Sequence, residues 1–192
     1  MTPRSILLSL SCSALLLACA QKESAKELPR VCEVGPFLLW DANEEAFELD
    51  RVKGKIWVAD FIFTHCTYPC PIMTAGMKKL QDAFADQDDV QFVSVSVDPG
   101  RDSPEVLKTY ARTHGAIDGK WHFATGSPRE IQKLQAEGMK LLTNPDNPLQ
   151  HNVKFVLVDR SGTVRGYYDG KEPPEVKQLE KDIRRLLEEP RP

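Results

Sequence analysis

Histidine is scarce in this chain and cysteine only slightly less so, with four and five residues in 192. Cys66 and Cys70 have no second pair elsewhere to join them, which excludes a four-thiolate zinc site of the kind that staples small domains. An excess of charge of one sign is also lacking. Lys and Arg number 25 against 28 Asp and Glu, for a formal net charge of −3, and the basic residues are dispersed. That excludes the electrostatic footprint of a nucleic-acid-binding protein. No segment repeats at solenoid spacing, which excludes a stacked-repeat architecture. Long hydrophobic runs are missing as well: the apolar stretch from Ile6 to Leu17 is too short for a bilayer-spanning helix. What is left has ordinary globular composition and a length suited to one domain with its own core.

The apolar stretch belongs to an export signal. Arg4 supplies a positive n-region, residues 6–17 the apolar h-region, and small residues follow. "LLAC", Leu16 to Cys19, resembles the bacterial lipoprotein box, in which the cysteine becomes the lipidated mature N-terminus. Cleavage after Ala20 is the alternative, because "ACA" also satisfies the small-x-small rule. Lipid on Cys19 would tether a domain to a membrane surface without a spanning helix, in the bacterial cell envelope, periplasmic or outside the cytoplasmic membrane. The expected division is a lipoprotein-type export signal over residues 1–18, a flexible tether over 19–30 and a domain over 31–192. The segment "QKESAKELPR" is polar and without apolar periodicity, as a tether should be. Cys12 leaves with the signal, so Cys32, Cys66 and Cys70 remain as thiols. In an oxidising compartment close thiols become disulfides unless a metal or a reductant holds them. Cys32, unpaired, reads as a partly buried small residue.

Along the domain, "FLLWDANEEAFEL" predicts two short strands around an Asp-Ala-Asn-Glu turn, an N-terminal β-hairpin. "KIWVADFIF" (55–63) is a near-continuous apolar run of strand length, as for a strand buried on both faces. A helix follows with apolar positions at Met73, Met77, Leu80 and Phe84. "VQFVSVSV" (90–97) alternates as a second strand. Ser103-Pro104 and Ser127-Pro128 each read as an N-cap followed by proline at the first helical position, with Gly115 stopping the first helix and Glu130 completing a capping box in the second. "VKFVLVD" and "TVRGYY" predict a hairpin around Ser161-Gly162, and an amphipathic helix over about 172–188 closes the chain. Strands alternating with helices give an α/β fold with a central sheet flanked by helices, an order compatible with a thioredoxin-like fold.

Cys66 and Cys70 are separated by three residues, where thioredoxin-like redox enzymes usually have two. Pro69 and Pro71 place the helix start near Cys70, with Cys66 in the preceding turn. A helix N-terminus favours thiolate over thiol, and thiolate serves both a nucleophile and a metal ligand. The spacing therefore fits either. A purely stabilising disulfide is disfavoured, because so small a loop gives little entropic leverage. Of the histidines, His65 reads as a surface or packing residue, His114 as a partner of a helix C-terminus, and His122 as an outward position on a short strand. His151 ends the loop "TNPDNPLQ" before an apolar strand, where ligand chemistry gathers in α/β sheets; a solvated loop residue is the alternative.

Three stretches taken together, "GKIWVADFIFTHCTYPCP", "SVSVDPGRDSPEVLKTYA" and "HNVKFVLVDRSGTVRGYYDG", make residues 32–170 resemble the Sco/SenC family of copper proteins. The resemblance implies a thioredoxin-like fold and one copper ion, Cu(I) and/or Cu(II), bound by two motif cysteines and a distant histidine, here Cys66, Cys70 and His151. It implies a metallochaperone rather than a turnover enzyme, one that helps deliver copper to the dinuclear centre of cytochrome c oxidase or keeps its cysteines reduced. The implied partners are the copper-accepting subunit of that oxidase, a copper donor chaperone and a thiol reductant. Asp98 would support the ligands from behind or meet the partner; alternatively it only forms the turn before Pro99-Gly100. Two departures bear on affinity or redox potential: Thr67 follows the first cysteine where proline is common, and Gln150 precedes His151 where aspartate is frequent.

A rival reading keeps the scaffold and drops the metal: a thiol–disulfide oxidoreductase or thiol peroxidase with Cys66 and Cys70 as its redox-active pair. Val153 aligns where such enzymes resemble one another in carrying a cis-proline, which weakens that reading, and a histidine two positions earlier strengthens the metal reading. A copper or redox sensor would use the same residues. Soft thiolates favour Cu(I) while imidazole also suits Cu(II), so two cysteines and a histidine can hold both states. Oxidation of the pair would abolish soft-metal binding, so a redox partner is implied in every version.

Overall fold

The computed structural model describes residues 27–144, 146–147, 149 and 152–191. Its backbone is one eight-stranded mixed sheet in the order β1-β8-β7-β4-β5-β6-β2-β3. The centre is β4 (Ile56–Ile62), every residue of which is buried, as its unbroken apolar run predicts. It pairs in parallel with β5 (Val90–Ser96) and antiparallel with β7 (Lys154–Val158). The predicted hairpin of β7 with β8 (Thr163–Asp169) forms, and Gly162 takes φ +83°, a left-handed conformation that suits glycine. Asp159 closes this hairpin by accepting from the Ser161 and Thr163 amides at 2.9 and 3.0 Å.

The alternation along β4 divides two cores. Ile56, Val58 and Ile62 pack with Met73, Met77, Leu80 and Phe84 of α1 (Cys70–Ala83) and with Leu179, Ile183 and Leu186 of α4 (Pro173–Glu188). Trp57, Ala59 and Phe61 face the other way, into a core with Leu39 and Phe47 of the N-terminal hairpin, β2 (Leu38–Asp41) and β3 (Ala46–Glu48). Asp41 turns that hairpin by accepting from the Asn43 and Glu45 amides, and β2 then pairs with β6 (Trp121–Thr125), so the hairpin extends the sheet itself. α2 (Pro104–Thr113) begins at Ser103, whose hydroxyl accepts from the Val106 amide, and stops at Gly115, φ +69°.

Three features depart from the sequence reading. The helix that Ser127-Pro128 begins is α-helical only as α3 (Pro128–Lys133); residues Leu134–Gly138 form a π turn. Leu134 and Met139 are both buried, and five residues apart on an α-helix they would point about 140° apart. The wider turn, closed by the Met139 amide on the Leu134 carbonyl at 2.9 Å, brings them back towards one face. Second, β1 (Cys32–Glu33), too short to show a pattern, pairs with β8. Third, the chain is already docked at Leu28: fully buried Arg165 donates to the Leu28 and Pro29 carbonyls at 2.8 and 3.0 Å. No helix among the described residues is long and apolar enough to cross a membrane.

Candidate metal centre

β4 delivers the chain into a turn, residues 63–69, from which α1 departs. The turn is held from below by Asp102, a fully buried carboxylate on the loop between β5 and α2. Asp102 accepts from the Thr64 amide at 3.0 Å, the Thr64 hydroxyl at 2.6 Å and the Ser96 hydroxyl at 2.6 Å. Three charge-assisted hydrogen bonds on one buried carboxylate make a stiff anchor. The Cys66 amide then donates to the Phe63 carbonyl at 3.2 Å, tightening the turn towards α1.

α1 has no side-chain oxygen cap; its N-cap is Pro69, and Pro71 has no amide to satisfy. The Cys70 amide instead donates to Cys66 Sγ at 3.5 Å, so a sulfur stands where helices usually place an oxygen. Neither cysteine is in a disulfide; Cys70 is wholly buried and Cys66 9% exposed. Beside them Tyr68 and Ile72 turn outwards, 67% and 45% exposed.

The electrostatics correct one expectation. A helix start should favour thiolate, yet burial pushes the Cys70 thiol up to about 12, with the hydrogen bond from Cys66 adding to the rise. Desolvation outweighs the helix dipole, and without metal Cys70 keeps its proton at neutral pH. Asp60 contributes to the same push. It is the one charged residue of β4, fully buried, and burial raises its carboxyl to about 7 against the hydrogen bond it accepts from Ser94 at 2.6 Å. Ser94 is in turn oriented by the Trp121 indole N–H at 2.9 Å. Tyr110, joined to Thr74 at 2.9 Å, is a half-buried hydroxyl near the thiols, raised by burial to about 12.

The remaining sequence candidates are placed as follows. Asp98 forms its turn, its carbonyl accepting from the Arg101 and Asp102 amides. Its Oδ2 lies 3.6 Å from Arg101 Nε, within ion-pair range but without a hydrogen bond. Cys32 Sγ lies 3.6 Å from the Gly138 carbonyl oxygen on β1, three strands and so roughly 14 Å across the sheet from β4. His65 is exposed, His114 packs on Tyr110 with ring centroids 4.2 Å apart, and burial lowers the pKa of His114. His122 is not outward: it stacks on Phe47 at 5.3 Å beneath the hairpin, and burial lowers its pKa too. His151 and Cys19 lie outside the described residues. Among the described residues no three His, Cys, Asp or Glu side chains converge on one point, so the described part of the centre is the thiol pair. Sequence reasoning missed Asp102, hidden beside the Ser103 cap, and Asp60, although a lone charge inside an apolar strand was a visible signal.

Comparison with known proteins follows the same lines. The SCO1/SenC family model matches residues 25–188. A SCO1/SenC family lipoprotein from Bacillus anthracis str. Ames is similar with a TM-score of 0.73 at 36% identity, over 81% of this chain and 95% of that one. BsSco, a member of the Sco family of cytochrome c oxidase assembly proteins in which a disulfide switch is described, gives 0.72 at 34%, over 84% and 96%. Bradyrhizobium japonicum ScoI, solved with copper bound, gives 0.65 at 27%, over 81% and 99%. The thioredoxin-like α/β fold expected from the sequence is the fold observed. With a family match across nearly the whole domain and the same fold in its relatives, this chain belongs to the SCO1/SenC family.

Proposed function

We propose that this domain is a membrane-tethered copper metallochaperone of the bacterial cell envelope. Its cargo is one copper ion, Cu(I) and/or Cu(II), held by Cys66, Cys70 and His151 and handed on during assembly of cytochrome c oxidase. The observation that carries this reading is the turn itself: two buried thiols, neither in a disulfide, share one helix start, and the buried Asp102 carboxylate anchors the turn that leads to them. The two sulfurs suit Cu(I), and an imidazole would extend the range to Cu(II). Because Trp57 pairs with Val158 and Ala59 with Val156, the start of β7 lies beside the end of β4. The segment entering β7 is therefore where a third ligand is sought, and His151 is its histidine. Copper binding by ScoI and oxidase assembly by the family of BsSco support the cargo and the recipient. Lipid on Cys19 would keep the domain beside a membrane-bound copper-accepting subunit, with a copper donor and a thiol reductant as further partners.

Copper must displace the Cys70 proton, so apparent affinity rises with pH, about tenfold per unit for each proton released. The test is a Cu(I) titration of the reduced protein against a competing chelator, with Cys66→Ser, Cys70→Ser and His151→Ala alongside. Tight one-to-one binding should vanish in either cysteine variant, while His151→Ala chiefly alters Cu(II). Unchanged Cu(II) spectra in His151→Ala would remove it from the ligand set. A second reading, disulfide exchange, is favoured by the same adjacent pair of thiols and the disulfide switch described for BsSco. The Cys66–Cys70 dithiol would pass two electrons and two protons to a partner disulfide. Weak copper binding with intact exchange activity would select it.

A further inference from the structure

Between α1 and α4 runs an open groove of about 490 Å³. Small and apolar residues line it. Ala75 and Gly76 line its α1 side, and Gly76 lets the helix lie close on the buried Phe155 ring, 3.4 Å from where a Cβ would stand. Val176 lines the α4 side, and Ile72, 45% exposed, stands at the end nearest the thiols. The rim is cationic. Lys79, Lys171 and Lys177 border the groove, and none has a carboxylate within ion-pair distance among the described residues. The bordering acid, Glu180, is already held by Arg184 at 2.8 Å. A chain of net charge −3 thus presents three unneutralised cations around one apolar cleft.

We propose that this groove docks an acidic segment of the partner protein, its apolar side chains entering the cleft and its carboxylates meeting Lys79, Lys171 and Lys177. This rests on the reading that the domain hands copper or electrons to another protein. Charge complementarity selects the occupant: opposite charge at a rim steers encounter and rejects basic partners. A concave cleft also suits an inserted side chain better than a bilayer surface, which cannot enter it. The position gives docking a purpose. Ile72 is two residues past Cys70, about 3 Å along the helix axis though on the outward face, so a segment seated there holds its own protein at the end of α1 where the thiols lie.

The test uses the full chain in mild detergent and a fluorescent peptide alternating glutamate with leucine, followed by anisotropy. A peptide with lysine for glutamate and vesicles of phosphatidylglycerol are the controls. The acidic peptide should bind and the basic one should not. The triple variant Lys79→Glu, Lys171→Glu, Lys177→Glu should weaken binding tenfold or more, and Ala75→Trp, which fills the groove from an exposed position, should abolish it. Equal binding of both peptides, or indifference to either variant, overturns the proposal. So does vesicle binding that the charge reversal removes and Ala75→Trp leaves intact, which would make the surface a membrane contact. Copper titration of the same samples separates the two readings. Copper binding without peptide binding sinks the groove alone; groove-dependent peptide binding without copper sinks the metallochaperone and leaves the groove standing.

Discussion

α1 and α2 both carry a proline in their first turn, yet they begin in opposite ways. α2 is self-sufficient: Ser103 accepts from the Val106 amide and donates to Glu105 at 2.6 Å, all at the surface. α1 has no such cap, and its first amide rests on a sulfur. The carboxylates near the two starts move in opposite directions as well. The hydrogen bond from Ser103 holds Glu105 below the usual carboxylate range in open solvent, whereas burial lifts Asp60 to about 7 beneath the thiols. One helix start is capped by its own serine at the helix end, and the other sets two buried thiols side by side, Cys66 Sγ accepting from the Cys70 amide. Asp102 joins the two, because it precedes the Ser103 cap and anchors the turn that leads to Cys66.

The strongest way to break this contrast is to give α1 the cap it lacks. Cys66→Ser places a good capping oxygen where the sulfur stands, so stability to urea should hold or rise by a few tenths of a kcal/mol. Copper affinity should fall by more than the roughly 10–100-fold that loss of an outer partner costs, because a soft ligand itself is gone. A variant that kept its copper would show that the sulfur serves only as a cap.

Asp60→Asn probes the burial beneath the thiols. The folded carboxyl is raised to about 7 from an ordinary value of 3.8, so its protonation stabilises the fold fully below about pH 3.8. That contribution is lost as pH rises to about 7, on the order of 4 kcal/mol at most. Asparagine can still accept from Ser94 but does not titrate, so the variant should gain on the wild type across that window. Unfolding free energies that run parallel in both proteins from pH 4 to pH 8 would mean that Asp60 is not held in a dry site.

How much of this was legible in the sequence depends on whether the signal was local. The Ser-Pro starts, the stop at Gly115, the hairpin at Ser161-Gly162 and the doubly buried strand at residues 56–62 all read correctly, because each rests on a propensity of a few adjacent residues. The helix start at Cys70 read correctly for the same reason. What failed was burial at a distance. The helix dipole argued for thiolate at Cys70, but the residue is buried in a core that also takes in Phe155, Tyr168 and Leu179 from far along the chain. His122 looked outward on its short strand until Phe47 of the N-terminal hairpin packed against it. Asp102 gave no hint that it would reach back 38 residues to Thr64.

That reach gives the next test. Asp102→Ala strips the acceptor from two hydroxyls and one amide, and leaving buried donors unmet should cost roughly 2–4 kcal/mol in urea unfolding. The turn before Cys66 should also loosen, lowering copper affinity by about tenfold, with Asp102→Asn falling between because it keeps some acceptors. Lost stability with full copper affinity would mean that the thiol turn holds itself.

The smallest effect is the most discriminating. Ser103→Ala removes the α2 cap and should cost about 1 kcal/mol, as loss of a serine cap commonly does. It stands next to Asp102 in sequence, so a merely regional disturbance would affect copper binding as Asp102→Ala does. The geometry predicts otherwise. The Ser103 hydroxyl faces Val106 and Glu105 at the surface, while the Asp102 carboxylate faces Thr64 and Ser96 inside. Copper affinity in Ser103→Ala should therefore match the wild type while its urea midpoint drops. If affinity instead falls with stability, the two helix starts are one cooperative unit, and the turn that holds the thiols depends on the α2 cap as much as on Asp102.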